Sequence, residues 1–329
     1  MQIFYYKHSQ LLTPHGERAL PFAPRTSVIT LGTFDGVHLG HRKIIAALLA
    51  KARATGLRST LLTFAPHPRT VVSKKDAAPV HLLTTTEEKL ALLSELGLDS
   101  VIVIEFTKAF AALSPEDFVE QILLKEFGLA AMVIGYDHGF GRDRSGTLQT
   151  LSQLSAKHSF SVEVVEEFML NGRAVSSTQI RSLLSSGQLR DANTLLGSPY
   201  RLTGKVVEGE RRGRLIGFPT ANLDLLDALK LVPSPGVYVA DALVSNVKCR
   251  AMVNIGYRPT VSTGTRLSIE AHILNFSGNL YGHLLTIELL SRLRDEQKFP
   301  SLDALKAQLE MDKALAATFS APHQTFQHA

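Results

Sequence analysis

Up to about residue 185, short apolar runs alternate with amphipathic stretches; beyond it, apolar runs follow one another with no helix between them. No single sheet accommodates both rhythms, so the 329 residues are expected to divide into two domains, each long enough to bury its own core. Residues 28–31, 61–64, 101–104, 132–134 and 162–165 read as buried strands, separated by helix candidates near 42–54, 87–96, 115–127 and 147–157. That alternation predicts an α/β domain over residues 1–186, a Rossmann-like parallel sheet with helices on both faces. A short helix that breaks at Gly197-Ser198-Pro199 makes residues 187–199 a linker. From residue 200 to 329 the strand-like runs 202–207, 236–244, 251–255, 267–274 and 284–290 predict a mainly-β domain. Turn clusters at 233–236 and 277–279 suit an antiparallel barrel or sandwich, closed by a C-terminal helix near 302–315.

The segment Gly32-Thr33-Phe34-Asp35-Gly36-Val37-His38-Leu39-Gly40-His41 joins the first of these strands to the first helix. Glycines such as Gly32 and Gly40 let backbone N–H groups come close to a ligand, and a helix N-terminus favours anions. The i, i+3 spacing aims His38 and His41 the same way, so the turn reads as a site for a nucleotide's phosphates. In parallel sheets ligands sit at the C-terminal strand ends, where His38, His67 and Asp137 would all fall.

Other stretches have both a chemical and a plainer reading. Pro66-His67-Pro68 is a stiff loop that either holds His67 toward a ligand or merely exposes it. Gly135-Tyr136-Asp137-His138-Gly139-Phe140-Gly141 surrounds one carboxylate with glycines, as a ligand-wrapping loop or an ordinary turn would, and Arg142 and Arg144 follow it. Ser176-Ser177-Thr178-Gln179-Ile180-Arg181 starts a helix; its hydroxyls either cap it or, with Arg181 as counter-charge, face a phosphate chain. In the second domain, residues 209–222 join a basic, glycine-containing loop, with Gly213 and Gly217, to a stiff Pro219-Thr220-Ala221-Asn222 end. Thr220 and Asn222 offer the oxygens that Mg²⁺ prefers, and Glu270 on an alternating strand is either a solvated carboxylate or a base for phosphoryl transfer.

Composition narrows the classes. With 45% hydrophobic and 20% charged residues the chain reads as an ordinary soluble protein. Cys249 is the only cysteine, which excludes an internal disulfide and fits a reducing cytoplasm. No apolar run reaches the roughly 18 residues needed to cross a bilayer, and residues 1–10 lack the apolar core of a secretory signal, so no membrane role is expected. The net charge of +5 and pI near 9.3 would suit a nucleic-acid partner. The barrel strands, however, show few aromatics interleaved with Lys and Arg, so none is expected.

Taken together in order, these motifs resemble the bacterial bifunctional riboflavin kinase/FAD synthetases over nearly the full chain. The first domain is similar to the nucleotidylyltransferase half through residues 32–41, 64–68, 135–141 and 177–181. The second is similar to the flavokinase barrel through 213–222, Gly236-Val237-Tyr238, 254–260, Tyr281-Gly282 and 293–299. The resemblance implies two ATP-dependent steps: riboflavin to FMN in the C-terminal domain, then FMN to FAD with release of pyrophosphate in the N-terminal one. It implies Glu270 as the kinase base, and Thr220 and Asn222 as holders of Mg²⁺ and ATP. His38 and His41 would be catalytic in adenylyl transfer, with Gly32, Phe34, Gly40, Asp137, Ser177, Thr178 and Arg181 contacting ATP or its phosphates. Gly213 and Gly217 take the corresponding role in the kinase, and His67, Arg294 and Phe299 are implied flavin contacts. Riboflavin, FMN and ATP would be the partners, and a homo-oligomer is compatible with the pattern. The chain departs from the family at His138 and Gln179. Two rivals account for less: a single-function nucleotidylyltransferase with an inert barrel gives Thr220, Asn222 and Glu270 no purpose, and a nucleic-acid-binding barrel predicts interleaved aromatics and Lys/Arg of which the second domain shows few.

Overall fold

The structure is a computed structural model and describes residues 1–73, 79–136, 139–142, 145–209, 212–245, 247–259 and 265–320. The chain forms two compact units, one from Met1–Val80 and Thr86–Ser176, the other from His81–Thr85 and from Ser177 onward.

In the first unit, β1 (Gln2–Lys7), β2 (Gln10–Leu12), β3 (Ser27–Leu31), β4 (Arg58–Ala65), β5 (Ser100–Glu105), β6 (Leu129–Gly135) and β7 (Ser161–Val165) form one sheet in the order β2-β1-β5-β4-β3-β6-β7. Every neighbouring pair is parallel except β1 with β2. Between the strands lie α1 (Leu39–Thr55), α2 (Pro68–Val72), α3 (Thr86–Ser94), α4 (Lys108–Ala111), α5 (Pro115–Asp117) and α6 (Leu148–His158). A short hairpin, β8 (Met169–Leu170) with β9 (Arg173–Ala174), ends the unit.

Successive residues of a strand point to opposite faces, and the fully buried Val28 and Ile29 of β3 show both faces covered. Val28 belongs to a core with Ile45 and Leu48 of α1 and Leu90 and Leu93 of α3. Ile29 belongs to the other core, with Phe118, Val119, Ile122, Leu123 and Leu151. The α-helix expected over 115–127 is instead α5 running into a π-helix over Phe118–Leu124. Phe118 lies four and five residues from Ile122 and Leu123, and the wider π turn keeps all three on the core side.

β3 is where the strand order reverses: the chain passes from it to β4 and β5 on one side and later to β6 on the other. Ligands of open parallel sheets bind beyond the strand C-termini at such a reversal. The turn after Leu31 therefore occupies the position the topology reserves for a ligand.

In the second unit, β10 (Tyr200–Val207), β11 (Ala221–Leu225), β12 (Gly236–Val244), β13 (Val247–Pro259), β14 (Thr265–Ile273) and β15 (Leu284–Arg294) close an antiparallel barrel in the order β10-β11-β14-β13-β12-β15. Closure leaves no open sheet edge, which settles barrel over sandwich. Helices α7 (Ser177–Ser185) and α8 (Leu189–Leu196) precede the barrel, α9 (Arg212–Leu215) interrupts it, and α10 (Leu302–Thr318) follows it. The segment read as a linker is packed: the buried Asn193 of α8 donates to the Leu289 carbonyl at 2.9 Å and accepts from the Tyr200 N–H at 2.9 Å. Residues His81–Thr85 run beside the barrel, where the buried Lys230 donates to the Leu83 carbonyl at 2.6 Å and lies over the Tyr200 ring.

Candidate active sites

In the first unit the turn after β3 is built from strained backbone. Phe34, Gly36 and Val37 have φ of 46°, 86° and 41°. Left-handed φ is open to glycine, but at Phe34 and at β-branched Val37 it costs on the order of 1–3 kcal/mol each, so the surroundings must impose it. They do so from both sides. The Val37 N–H donates to the Phe34 carbonyl at 3.1 Å, and Arg42 Nε donates to the Val37 carbonyl at 3.2 Å. Beneath the turn, the buried Lys89 of α3 donates from Nζ to the Thr33 carbonyl and to Thr63 Oγ1, both at 2.9 Å, while Thr63 Oγ1 itself donates to Thr33 O at 3.1 Å. Burial pushes the Lys89 ammonium down to about 8, against the pull of the buried Asp35 carboxylate.

The turn delivers two stacked imidazoles. His38 is the N-cap of α1, and its Nδ1 accepts from the His41 N–H at 3.4 Å. An accepting Nδ1 carries no proton, so the ring N–H that His38 can donate is Nε2–H. The two rings lie 3.6 Å apart at 19°, and the Phe34 ring tilts against His41 at 5.1 Å. Gly40 makes this possible, because a Cβ there would meet the His38 ring at 3.2 Å. The His41 pKa lies well below the usual imidazole range, through burial first and then the neighbouring His38 and Lys89 charges. Its Nδ1 is buried without a hydrogen-bond partner. No acidic residue sits in the first turn of this 17-residue helix, so no carboxylate there competes with an anion for its positive end. A His38 Nε2–H beside an uncharged His41 at a helix N-terminus suits hydrogen bonding to phosphate oxygens.

In the second unit the barrel register assembles the other constellation. Asn222 of β11 and Asn254 of β13 are both direct cross-strand partners of Glu270 on β14, so all three side chains share one face. Thr220 Oγ1 donates to Glu270 Oε2 at 3.2 Å. Ala221 and Asn222, read from sequence as the end of a loop, instead open strand β11, and this pairing is what brings Thr220 and Asn222 to Glu270. Gly209 leaves room for the Asn222 carboxamide, which a Cβ would meet at 2.3 Å. Gly213 packs against the Phe218 carbonyl, where a Cβ would sit at 2.2 Å, and Gly217 turns the chain with φ 86°.

Residues 21–179 match the FAD synthetase family model and residues 196–320 the riboflavin kinase model. The bifunctional riboflavin kinase/FMN adenylyltransferases of Escherichia coli K12 and Bacillus subtilis 168 are each 37% identical to this chain, covering 89% of it and 92% of their own length. The chain belongs to the bifunctional riboflavin kinase/FMN adenylyltransferase family. A solved structure from Streptococcus pneumoniae, named a macrolide-efflux protein, is 32% identical with a TM-score of 0.82 over 91% of this chain and 96% of its own. Among the described residues, no helix here is long and apolar enough to cross a membrane.

Against the pattern of this riboflavin kinase/FMN adenylyltransferase family, the remaining expected residues fall as follows. His67 caps α2, its Nδ1 accepting from the Arg69 N–H at 3.2 Å. Ser177 and Thr178 open α7, and Arg181 Nε donates to the His81 carbonyl at 2.7 Å. Arg294 is engaged by the buried Asp312 of α10, with Nε at 3.0 Å and Nη2 at 2.7 Å from Oδ2, and lies 5.7 Å from the Phe299 ring. Asp137 and His138 lie outside the described residues, as does Arg144.

Two participants escaped the sequence reading. His272 Nδ1 hydrogen-bonds the Pro219 carbonyl at 2.8 Å and holds the Pro219–Thr220 corner from β14. Its period-two spacing from Glu270 placed it on that face. Lys89 was hidden inside an ordinary amphipathic helix, although its spacing of three and four residues from Leu92 and Leu93 put it on their face.

Proposed function

We propose that this chain makes FMN from riboflavin and ATP in the barrel unit, then FAD from FMN and ATP in the sheet unit. The contact that carries the reading is Thr220 to Glu270, flanked by Asn222 and Asn254. Glu270 takes the proton from the ribityl 5′-hydroxyl as that oxygen attacks the γ-phosphorus of ATP; the O–P bond forms and ADP leaves. Thr220 orients the carboxylate, and His272 orients Thr220 through Pro219.

Among the described residues no three His, Cys, Asp or Glu side chains cluster to hold a metal. Thr220 and Asn222 are oxygen donors beside one carboxylate, a set that fits Mg²⁺ arriving on nucleotide phosphates better than a resident ion. Bound there, Mg²⁺ would neutralise charge on the phosphates.

In the sheet unit an FMN phosphate oxygen attacks the α-phosphorus of ATP and pyrophosphate leaves. That nucleophile is already anionic at neutral pH, so the work is stabilisation of developing charge. His38 donates from Nε2, and neutral His41 lies against it at the positive end of α1. Gly32, Phe34 and Gly40 shape this turn, and Asp137 is assigned as an ATP contact; Ser177, Thr178 and Arg181, which open α7 in the other compact unit, are assigned to ATP phosphate. His67 in the sheet unit and, separately, Phe299 and Arg294 in the barrel unit are assigned to flavin, with Arg294 held by Asp312. We place the enzyme in the cytoplasm, with no nucleic-acid partner.

Chromatography of products after incubation with riboflavin, ATP and Mg²⁺ tests the reading. FMN should appear first and FAD after it; absence of both returns the chain to the rival classes.

A further inference from the structure

Lys89 is costly where it stands. Its side chain is 6% exposed, and a buried ammonium is tolerated only when partners satisfy it. Docking of α3 does not require it, since Leu90, Leu92 and Leu93 already bury that helix in the core. Its hydrogen bonds point elsewhere, to Thr33 O and Thr63 Oγ1, directly under the turn that leads to His38 and His41.

That turn needs an external hold. Immediately after Thr33 the chain enters left-handed backbone at Phe34 and again at Gly36 and Val37, and the Val37–Phe34 hydrogen bond spans only its upper part. The Thr33 carbonyl receives two donors at once, Lys89 Nζ and Thr63 Oγ1, which fixes the peptide plane from which Phe34 departs. Phe34 in turn packs on His41, and His41 on His38. A chain of contacts thus runs from Lys89 to both imidazoles.

We infer that Lys89 is a positioning residue for adenylyl transfer: from beneath the turn its ammonium locks the Thr33 carbonyl and thereby the placement of the stacked His38 and His41. The inference rests on the assignment of adenylyl transfer to this unit. Among the described residues, the charged and titratable groups that act on Lys89 or feel it are Asp35 on the turn and His41 in α1, on which His38 stacks; Glu88 precedes it on α3. Asp35 favours the charged ammonium, and the ammonium in turn disfavours charge on His41.

The test compares the full-length Lys89→Met variant with wild type in steady-state FAD formation from FMN and ATP, and in riboflavin phosphorylation by the same preparation. A misplaced reacting group costs rate rather than affinity, so kcat for FAD formation should fall about 100-fold. The KM values for ATP and FMN should stay within about threefold, and riboflavin phosphorylation should be unchanged. Since Lys89 titrates at about 8, wild-type kcat should decline above that pH, and Lys89→Met should lack this alkaline limb. Thr63→Val, which removes one partner of the ammonium, should lower kcat about tenfold with the same split and serves if Lys89→Met does not fold. Variants with kcat within about twofold of wild type, or an alkaline limb unchanged in Lys89→Met, would overturn the inference. A wild-type chain that forms FMN but no FAD would overturn the adenylyl-transfer assignment itself, a distinct result.

Discussion

Replacing Glu270 with glutamine removes the proposed base while keeping its shape. The structure makes the substitution clean, because the new carboxamide oxygen can still accept from Thr220 Oγ1, now at 3.2 Å from Oε2, and the cross-strand neighbours Asn222 and Asn254 are untouched. Only the basic, negatively charged oxygen beside the ribityl hydroxyl is lost. General-base assistance contributes about 10²- to 10⁴-fold, equal to about 3–5.5 kcal/mol of transition-state stabilisation. FMN formation by Glu270→Gln should therefore fall by about that factor, with the KM for ATP moving by less than about threefold. The assay is separation of riboflavin, FMN and FAD by chromatography with fluorescence detection, run once from riboflavin and once from supplied FMN. FAD formation from FMN should match wild type, since the His38/His41 turn belongs to a different compact unit. A loss of FMN formation below about threefold would refute the base assignment, and equal loss of both activities would refute separate sites.

Three further outcomes follow from the geometry. His41→Ala removes the ring stacked on His38 and should lower FAD formation by about 10²- to 10³-fold while FMN accumulates from riboflavin. Because the folded His41 pKa is depressed, the unfolded chain takes up a proton below its ordinary value near 6.5 that the folded chain refuses; stability should fall with pH from there by up to about 1.4 kcal/mol per pH unit. Urea midpoints at successive pH values should show this slope in wild type and a shallower one in His41→Asn. Asp312→Ala strips the counter-charge from Arg294 and should destabilise the α10–barrel packing by about 3–5 kcal/mol, read as a lower unfolding midpoint and lost riboflavin phosphorylation.

Much of the fold could be read in advance because the residues that form it are locally patterned. The apolar runs of β3 to β7 and the amphipathic spans of α1, α3 and α6 sit where their periodicity placed them. β1 was not legible, since Gln2–Lys7 becomes a strand only by pairing with β5, nearly a hundred residues away, and both its faces are partly covered. β11 was missed for the same reason: Ala221–Leu225 is short, polar at Asn222 and Asp224, and defined by its partners β10 and β14. At the sites, the chemistry-bearing residues announced themselves by type and spacing, His38 with His41 and Thr220 with Asn222. What holds them did not. Lys89, Thr63, Gly209 and His272 act through distances that only the folded chain defines, and a lysine in a helix or a histidine in a strand looks ordinary until its partner is known.

The central claim is that one chain houses two chemically independent sites linked by FMN. Mixing Glu270→Gln with His41→Ala, each in the full-length chain, and supplying riboflavin, ATP and Mg²⁺ tests it most directly. Either variant alone should convert riboflavin to FAD at about a hundredth of the wild-type rate or less, while the mixture should recover it, as FMN released by His41→Ala is adenylylated by Glu270→Gln. A mixture that yields no FAD, or a single variant that makes it at the wild-type rate, would contradict the account.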